Sequence, residues 1–390
     1  MISKIFKGIL FLFIAFVIAF NAWILFSGKW FIYKAIRYNF VNIDDYKIFK
    51  NNTITKSDSV VDWPFATKYN QFIFSDQLNT TLKETQTVAF LVIKNDSVVI
   101  ENYWDEYAAD SISNSFSMAK TAVALMIGAA IKDGLIKNVD QPVGDFIPEF
   151  KEGAKSNITI KHLLMMSSGL RWDESKSYAN PLQVFMSDIM EAYYGDDLYK
   201  KVIASPVAYT PGKYFDYSSQ DSQILAFIIM KASGKSLSAY FEEKIWKPIG
   251  AKNNAKWCLD EKGNERSFCC LNSNARDFAK LGKLMINKGF ANGMQVIDTT
   301  YINEMQKPIM LKNLEDTTKM VDFYGYQTWL MNDIQKNVSY FRGTLGQMIL
   351  MLPEKNIIIV HLGKWQGSKS NNHYTQSVVY VEEVGKIIDN

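Results

Sequence analysis

The chain of 390 residues is 48 % hydrophobic and 14 % aromatic, enough for a large core, which excludes a wholly disordered protein. Its 43 basic and 40 acidic side chains leave a net charge of +3 with the signs interspersed, so nothing points to a nucleic-acid partner. Three cysteines (Cys258, Cys269, Cys270) and three scattered histidines (His162, His361, His373) lack metal-ligand spacing, so no metal or cofactor is implied, and adjacent Cys269 and Cys270 are expected not to bridge.

The N-terminal stretch Gly8–Phe26, GILFLFIAFVIAFNAWILF, has Asn21 as its one strongly polar side chain. As a helix it spans about 28 Å, close to the hydrocarbon thickness of a bilayer. Lys4 and Lys7 precede it, and Lys29, Lys34 and Arg37 follow, so the basic residues nearly balance and do not fix the orientation. With no clear A-x-A cleavage site, residues 1–28 read as a membrane anchor rather than a cleaved signal. Residues 29–80, polar and aromatic without a strong period, read as a stalk and lead-in.

Regular signals begin with TVAFLVIKNDSVVIENYW, two β-rich runs around Lys94-Asn95-Asp96-Ser97, the pattern of a hairpin. A helix over 117–132 ends at Asp133-Gly134. ITIKHLLMMSSGL reads as a short helix closing at Gly169, SQDSQILAFIIMKASG as an apolar helix closing at Gly234, and NARDFAKLGKLMINKG as an amphipathic helix closing at Gly289. YFRGTLGQMILMLPEKNIIIVHLGKW reads as two strands around a Pro353–Asn356 turn, and a last helix covers about 376–388. Strands from both ends of the chain with helices between them predict an α+β fold. It is an antiparallel β-sheet flanked by helices, one domain over 81–390 with a mainly helical region inserted at about 135–315, preceded by an N-terminal transmembrane helix.

One stretch asks for chemistry. In SFSMAKTAVALM, Ser117 and Lys120 lie three residues apart at a helix start and can share a face. A serine hydroxyl is a weak nucleophile until a base takes its proton. Lys120 serves only when neutral; lowering an amine from about 10.4 to 7 costs about 4.6 kcal/mol, which burial among Met118, Ala119, Ala122 and Val123 can supply. Tyr217, in PGKYFDYSS just before a helix, is a candidate proton relay. Glycines of Gly343-Thr344-Leu345-Gly346 allow close backbone approach, and an N–H there can complete an oxyanion hole with that of Ser117.

Together S-M-A-K, Y-S-S and the Gly-rich strand resemble the serine β-lactamase and penicillin-binding-protein superfamily, of which S-x-x-K is a signature. IENYW, SFSMAKT, ITIKHLLMMSSGLRWDES, PGKYFDYSS, RSFCCLNSNARDFAKLGKLM and GQMILMLPEKN are similar to the class C β-lactamase-related branch, which includes esterases and 6-aminohexanoate-dimer hydrolase. The resemblance implies a β-lactamase/transpeptidase-like fold, Ser117 as the acylated nucleophile, Lys120 as its base, Tyr217 as the proton shuttle, and the N–H groups of Ser117 and Thr344 as the oxyanion hole. Two positions depart: Ser219 stands for the carboxamide of Y-x-N, and the strand triplet reads Phe341-Arg342-Gly343, without the leading cation that helps hold a β-lactam carboxylate. Arg342, on the neighbouring strand position, is expected to face the opposite side. Trp172, Glu174 and Tyr178 resemble a loop lining the substrate cleft, and Asn272 a polar residue near it.

The reading is a membrane-anchored serine hydrolase of a small ester or amide, with its catalytic domain outside the cytoplasm. A β-lactamase or D-Ala-D-Ala peptidase of the same fold is the alternative that Phe341 disfavours, and a non-catalytic binding domain the one that Ser117, Lys120 and Tyr217 disfavour. No G-x-S-x-G occurs, and His361, inside an apolar strand, reads as a core residue.

Overall fold

A computed structural model describes residues 2–174 and 181–389. The strands that position the site are β1 (Asn51–Ile54), β2 (Thr87–Lys94), β3 (Ser97–Tyr103), β4 (Ser113–Asn114), β5 (Ala255–Cys258), β6 (Leu271–Ser273), β7 (Trp329–Leu330), β8 (Ser339–Arg342), β9 (Met348–Leu352) and β10 (Ile357–Gly363). Six form one antiparallel sheet in the order β7-β8-β9-β10-β2-β3, so the two ends of the domain meet where β10 pairs with β2. The expected hairpin over 94–97 joins β2 and β3.

Successive side chains on a strand face opposite ways. Leu91, Ile93, Ile349, Met351, Ile358 and Val360 enter one core together with helices α4 (Met118–Lys132), α7 (Ser219–Ser233) and α8 (Ala275–Ile286). Phe90, Val92, Leu350, Ile357 and Ile359 enter a second core, covered by α3 (Asp76–Glu84) and α9 (Thr375–Asp389). Burial on both faces is why these strands read as unbroken apolar runs. The molecule has a β-lactamase-like fold of antiparallel sheet and flanking helices.

Four other strands form a smaller sheet in the order β1-β5-β6-β4. Here the stretch expected as a stalk is folded onto the domain. α2 (Phe31–Tyr38) buries Phe31, Ile32 and Ala35, and β1 pairs with β5. The apolar positions that meet the core are too few to show a period in sequence, and Ile36 on the same helix stays exposed. Before it, α1 (Ile2–Ser27) is exposed over most of its length and is long and apolar enough to cross a membrane, as a signal sequence also is.

Two local expectations are corrected. α5 (Ile160–Leu164) opens with a Thr159–His162 capping box and stops at Met165, before Gly169. Gly169 instead holds a left-handed turn (φ 72) against the Tyr209 carbonyl, where a Cβ would collide. Cys269 and Cys270 form a disulfide, with Cys270 in the left-handed backbone region (φ 69) that sets the two side chains together.

Candidate active site

The small sheet delivers the nucleophile. Asn114, at the end of β4, accepts from the Phe116 N–H at 2.9 Å and the Cys270 N–H at 3.1 Å through Oδ1. Phe116 takes a left-handed conformation (φ 44) and turns the chain into α4. Ser117 is the N-cap of α4, and its hydroxyl makes no capping bond. It faces Lys120 instead, with Nζ 2.8 Å from Oγ. Lys120 is 2 % exposed and also donates to the Phe268 carbonyl at 2.9 Å. Desolvation pulls this amine down to about 8, and the Glu174 carboxylate partly opposes the shift.

Tyr217 leads into α7, and Lys120 Nζ lies 5.1 Å from its ring centre. Desolvation and then the charge of Glu174 push its phenol up, while the Ser117 hydroxyl and Arg342 pull it down. Glu174 accepts from Trp172 Nε1 at 2.8 Å, the Ser219 N–H at 2.8 Å and the Ser219 hydroxyl at 2.6 Å. Desolvation raises its carboxyl, and Lys120 and these donors lower it. Ser219, at the carboxamide position of Y-x-N, thus clamps a carboxylate to the start of α7. Trp172 stands behind Glu174 rather than in the cleft, and Tyr178 lies outside the described residues.

At the end of β8, Gly343 passes so close to the nucleophile's loop that a Cβ would come within 2.2 Å of the Ser115 carbonyl oxygen. That approach sets Thr344 beside Ser117 in one cavity wall. Among the described residues, neither the Ser117 nor the Thr344 N–H meets a protein acceptor. Gln347 braces the loop, accepting from the Gly343 N–H at 2.8 Å and donating to the Gly363 carbonyl at 2.6 Å.

Ser117 opens onto two chambers. The first, about 420 Å³, is lined by Tyr217, Trp329, Arg342 and Gly343 among others. The second, about 240 Å³, is lined mostly by apolar side chains, including Val184 and Phe185 of α6 (Pro181–Met186), Met190 and, unforeseen in the sequence, Phe40 and Val41 from the segment after α2. Two expected residues are placed elsewhere. Phe341 is fully buried in the core with α4 and α8. Arg342, its neighbour, faces the first chamber, so the expected facing of this strand is reversed. Asn272 is buried within β6, donating to the Cys270 carbonyl at 2.7 Å and the Cys258 sulfur at 3.4 Å, and lines neither chamber. His361 is a core residue, fixed by the Gly346 carbonyl and by Thr85 and Thr87, with burial lowering it to about 4.

A two-faced antiparallel sheet with a serine–lysine pair in a cleft at its edge defines a hydrolase fold of the β-lactamase type. The chain belongs to the Beta-lactamase family, which it matches over residues 76–379. It is 25 % identical over 324 residues to the 6-aminohexanoate-dimer hydrolase of Paenarthrobacter ureafaciens, covering 80 % of this chain and 81 % of that one. A Bacillus anthracis protein provisionally named a 6-aminohexanoate-dimer hydrolase superposes with a TM-score of 0.74 at 22 % identity, over 87 % of this chain and 91 % of that one. A family VIII carboxylesterase does so with a TM-score of 0.63 at 17 % identity, over 83 % and 98 %. The family is one of hydrolases.

Proposed function

We propose that the chain is a membrane-anchored serine hydrolase that cleaves an ester or amide through an acyl-enzyme on Ser117. The observation that carries this reading is the 2.8 Å contact between the buried Lys120 amine and the Ser117 hydroxyl. In its neutral form Lys120 takes the hydroxyl proton as Oγ attacks the acyl carbon. The N–H groups of Ser117 and Thr344 hold the oxyanion, each worth about 3 kcal/mol to the transition state. Tyr217 passes the proton to the leaving oxygen or nitrogen. Water then attacks the acyl-enzyme, with the same groups returning its proton to Ser117. A relative named a 6-aminohexanoate-dimer hydrolase and a structural neighbour named a carboxylesterase support amides and esters as the substrate range.

The test uses the full chain in detergent. Incubation with a fluorophosphonate and measurement of the intact mass is expected to show one adduct, absent in Ser117→Ala, and p-nitrophenyl acetate turnover is expected to vanish with it. An adduct that persists in Ser117→Ala, or no adduct and no turnover, overturns the reading.

A further inference from the structure

One wall of the smaller chamber beside Ser117 comes from outside the stretch that matches the family. That match begins at residue 76, yet Phe40 and Val41 line this chamber together with Phe185, Ile189 and Met190. Phe40 is also 78 % exposed, so it stands at the chamber's mouth.

α2 sets Phe40 there. Its Phe31, Ile32 and Ala35 are buried against the domain, while Trp30, Tyr33 and Ile36, three apart on another face, are exposed. The Tyr33 hydroxyl donates to the side chain of Asn21, the one strongly polar group of the N-terminal span, and so draws α2 back toward the last turns of α1. The chain then turns through Asn39 (φ 59) into Phe40. An apolar stripe left in the open marks a contact with a partner or a membrane. This one carries a tryptophan and a tyrosine and is bonded to the helix read as the anchor, which makes the membrane surface its occupant. Only the eight residues of α2, about 12 Å of helix, and short links separate Phe40 from α1.

A group that protonates the leaving atom must lie within hydrogen-bond reach of it. Tyr217 lines the larger chamber and not the smaller, so the leaving group departs into the larger one and the acyl group takes the smaller. The 240 Å³ there holds about eight groups the size of a water or a methylene. A longer chain must extend out through the mouth, past Phe40. Drawing such a chain from a bilayer through water disfavours it about fourfold per methylene. A mouth at the membrane surface removes that barrier.

We propose that the substrate is a long-chain fatty acyl ester or amide held in the membrane, and that its chain passes over Phe40 into the smaller chamber to reach Ser117. The inference rests on the acyl-transfer and membrane-anchor readings above. Ser117 Oγ bonds to the acyl carbon as the bond from that carbon to the leaving oxygen or nitrogen breaks. The serine proton ends on the leaving atom, and water then releases a free fatty acid and restores Ser117.

The test places the full-length protein in phosphatidylcholine vesicles with p-nitrophenyl palmitate in the bilayer or, at the same total concentration, the soluble acetate. The native protein is expected to turn over the palmitate at least tenfold faster. Phe40→Glu, a change at an exposed position, puts a charge in the mouth and should lower the palmitate-to-acetate ratio at least tenfold. Phe40→Leu, which keeps the mouth apolar, should hold the ratio within threefold of native. A native ratio below ten, or a smaller fall in Phe40→Glu, overturns the proposal. Fluorophosphonate labelling of Ser117 reads the acyl-transfer step and the folding of each variant separately, and retention in the membrane pellet reads the anchor. Should acyl transfer fail, Ser117→Ala in vesicles decides, using p-nitrophenyl palmitate with a diazirine at the tenth carbon. Irradiation must label the peptide that holds Phe40 and Val41; labelling confined to α1 overturns the proposal.

Discussion

Lys120 and Glu174 oppose each other across the site, and the sign of their coupling sets a pH profile. A base must be unprotonated to accept a proton, and Lys120 at about 8 is mostly protonated at neutral pH. kcat/KM reports groups of the free enzyme, so for a neutral ester it is expected to rise about tenfold per pH unit below this value and level off above it. The negative charge of Glu174 raises Lys120. Glu174→Gln removes that charge, makes the amine easier to deprotonate, and should move the rising limb to lower pH. Stopped p-nitrophenyl acetate assays across the neutral and alkaline range check this; a limb that stays, or moves to higher pH, shows that Glu174 does not act on the base. The Ser117–Lys120 pairing was legible because i and i+3 share a helix face whatever the rest of the chain does. The bond from Ser219 to Glu174 joins residues 45 apart, so no local spacing could display it.

The end of β8 is the element that completes the site. Its course depends on Gly343, whose place beside the Ser115 carbonyl leaves no room for a methyl group. Gly343→Ala must push β8 away from the loop before α4 and carry the Thr344 N–H with it. Loss of one oxyanion donor costs about 10²–10³ in kcat, and a fall of that size is expected in p-nitrophenyl acetate turnover. Lys120 packs against Phe268 and α4, away from this contact, so its pH limb should stay where the native protein has it. A variant within threefold of native turnover would show that Thr344 takes no part. The sequence located the strand and its glycines, but inverted its faces. Matching Phe341 to the leading position of the strand triplet puts it at the cleft and turns its neighbour Arg342 away, whereas the apolar Phe341 enters the core and the charged Arg342 lines the cleft. A glycine after an apolar run reads as a helix cap, but Gly169 marks a turn that follows α5 rather than its end.

Across the whole molecule, the sheet closed by two distant parts of the chain was readable from strand runs at both ends, whereas the attachment of residues 29–80 was not. Those residues gain their structure only by contact: Ile54 in β1 pairs opposite Ala255, and Phe40 and Val41 reach the smaller chamber beside Ser117. This ties the anchor to the site. Among the described residues of α1, Ile24 alone is wholly covered, while Phe11, Leu12, Phe13 and Phe16 earlier in the helix and Leu25 and Phe26 at its end stand exposed. Its 26 residues make a helix about 39 Å long, more than the roughly 30 Å of a bilayer's hydrocarbon core. Trp23, Trp30 and Tyr33, all partly exposed, fall where aromatic side chains collect at the membrane–water boundary. With the span in the bilayer, the domain that follows lies at the membrane surface on the side where α2 begins. The full chain is then expected to stay in the membrane pellet after an alkaline carbonate wash, since a spanning helix is not released by stripping charge contacts. A membrane-impermeant fluorophosphonate should label Ser117 on intact cells as strongly as after lysis, because the domain is proposed to lie outside the cytoplasm. Recovery in the wash would show that α1 does not hold the protein in the bilayer, and labelling that needs lysis would place Ser117 on the cytoplasmic side.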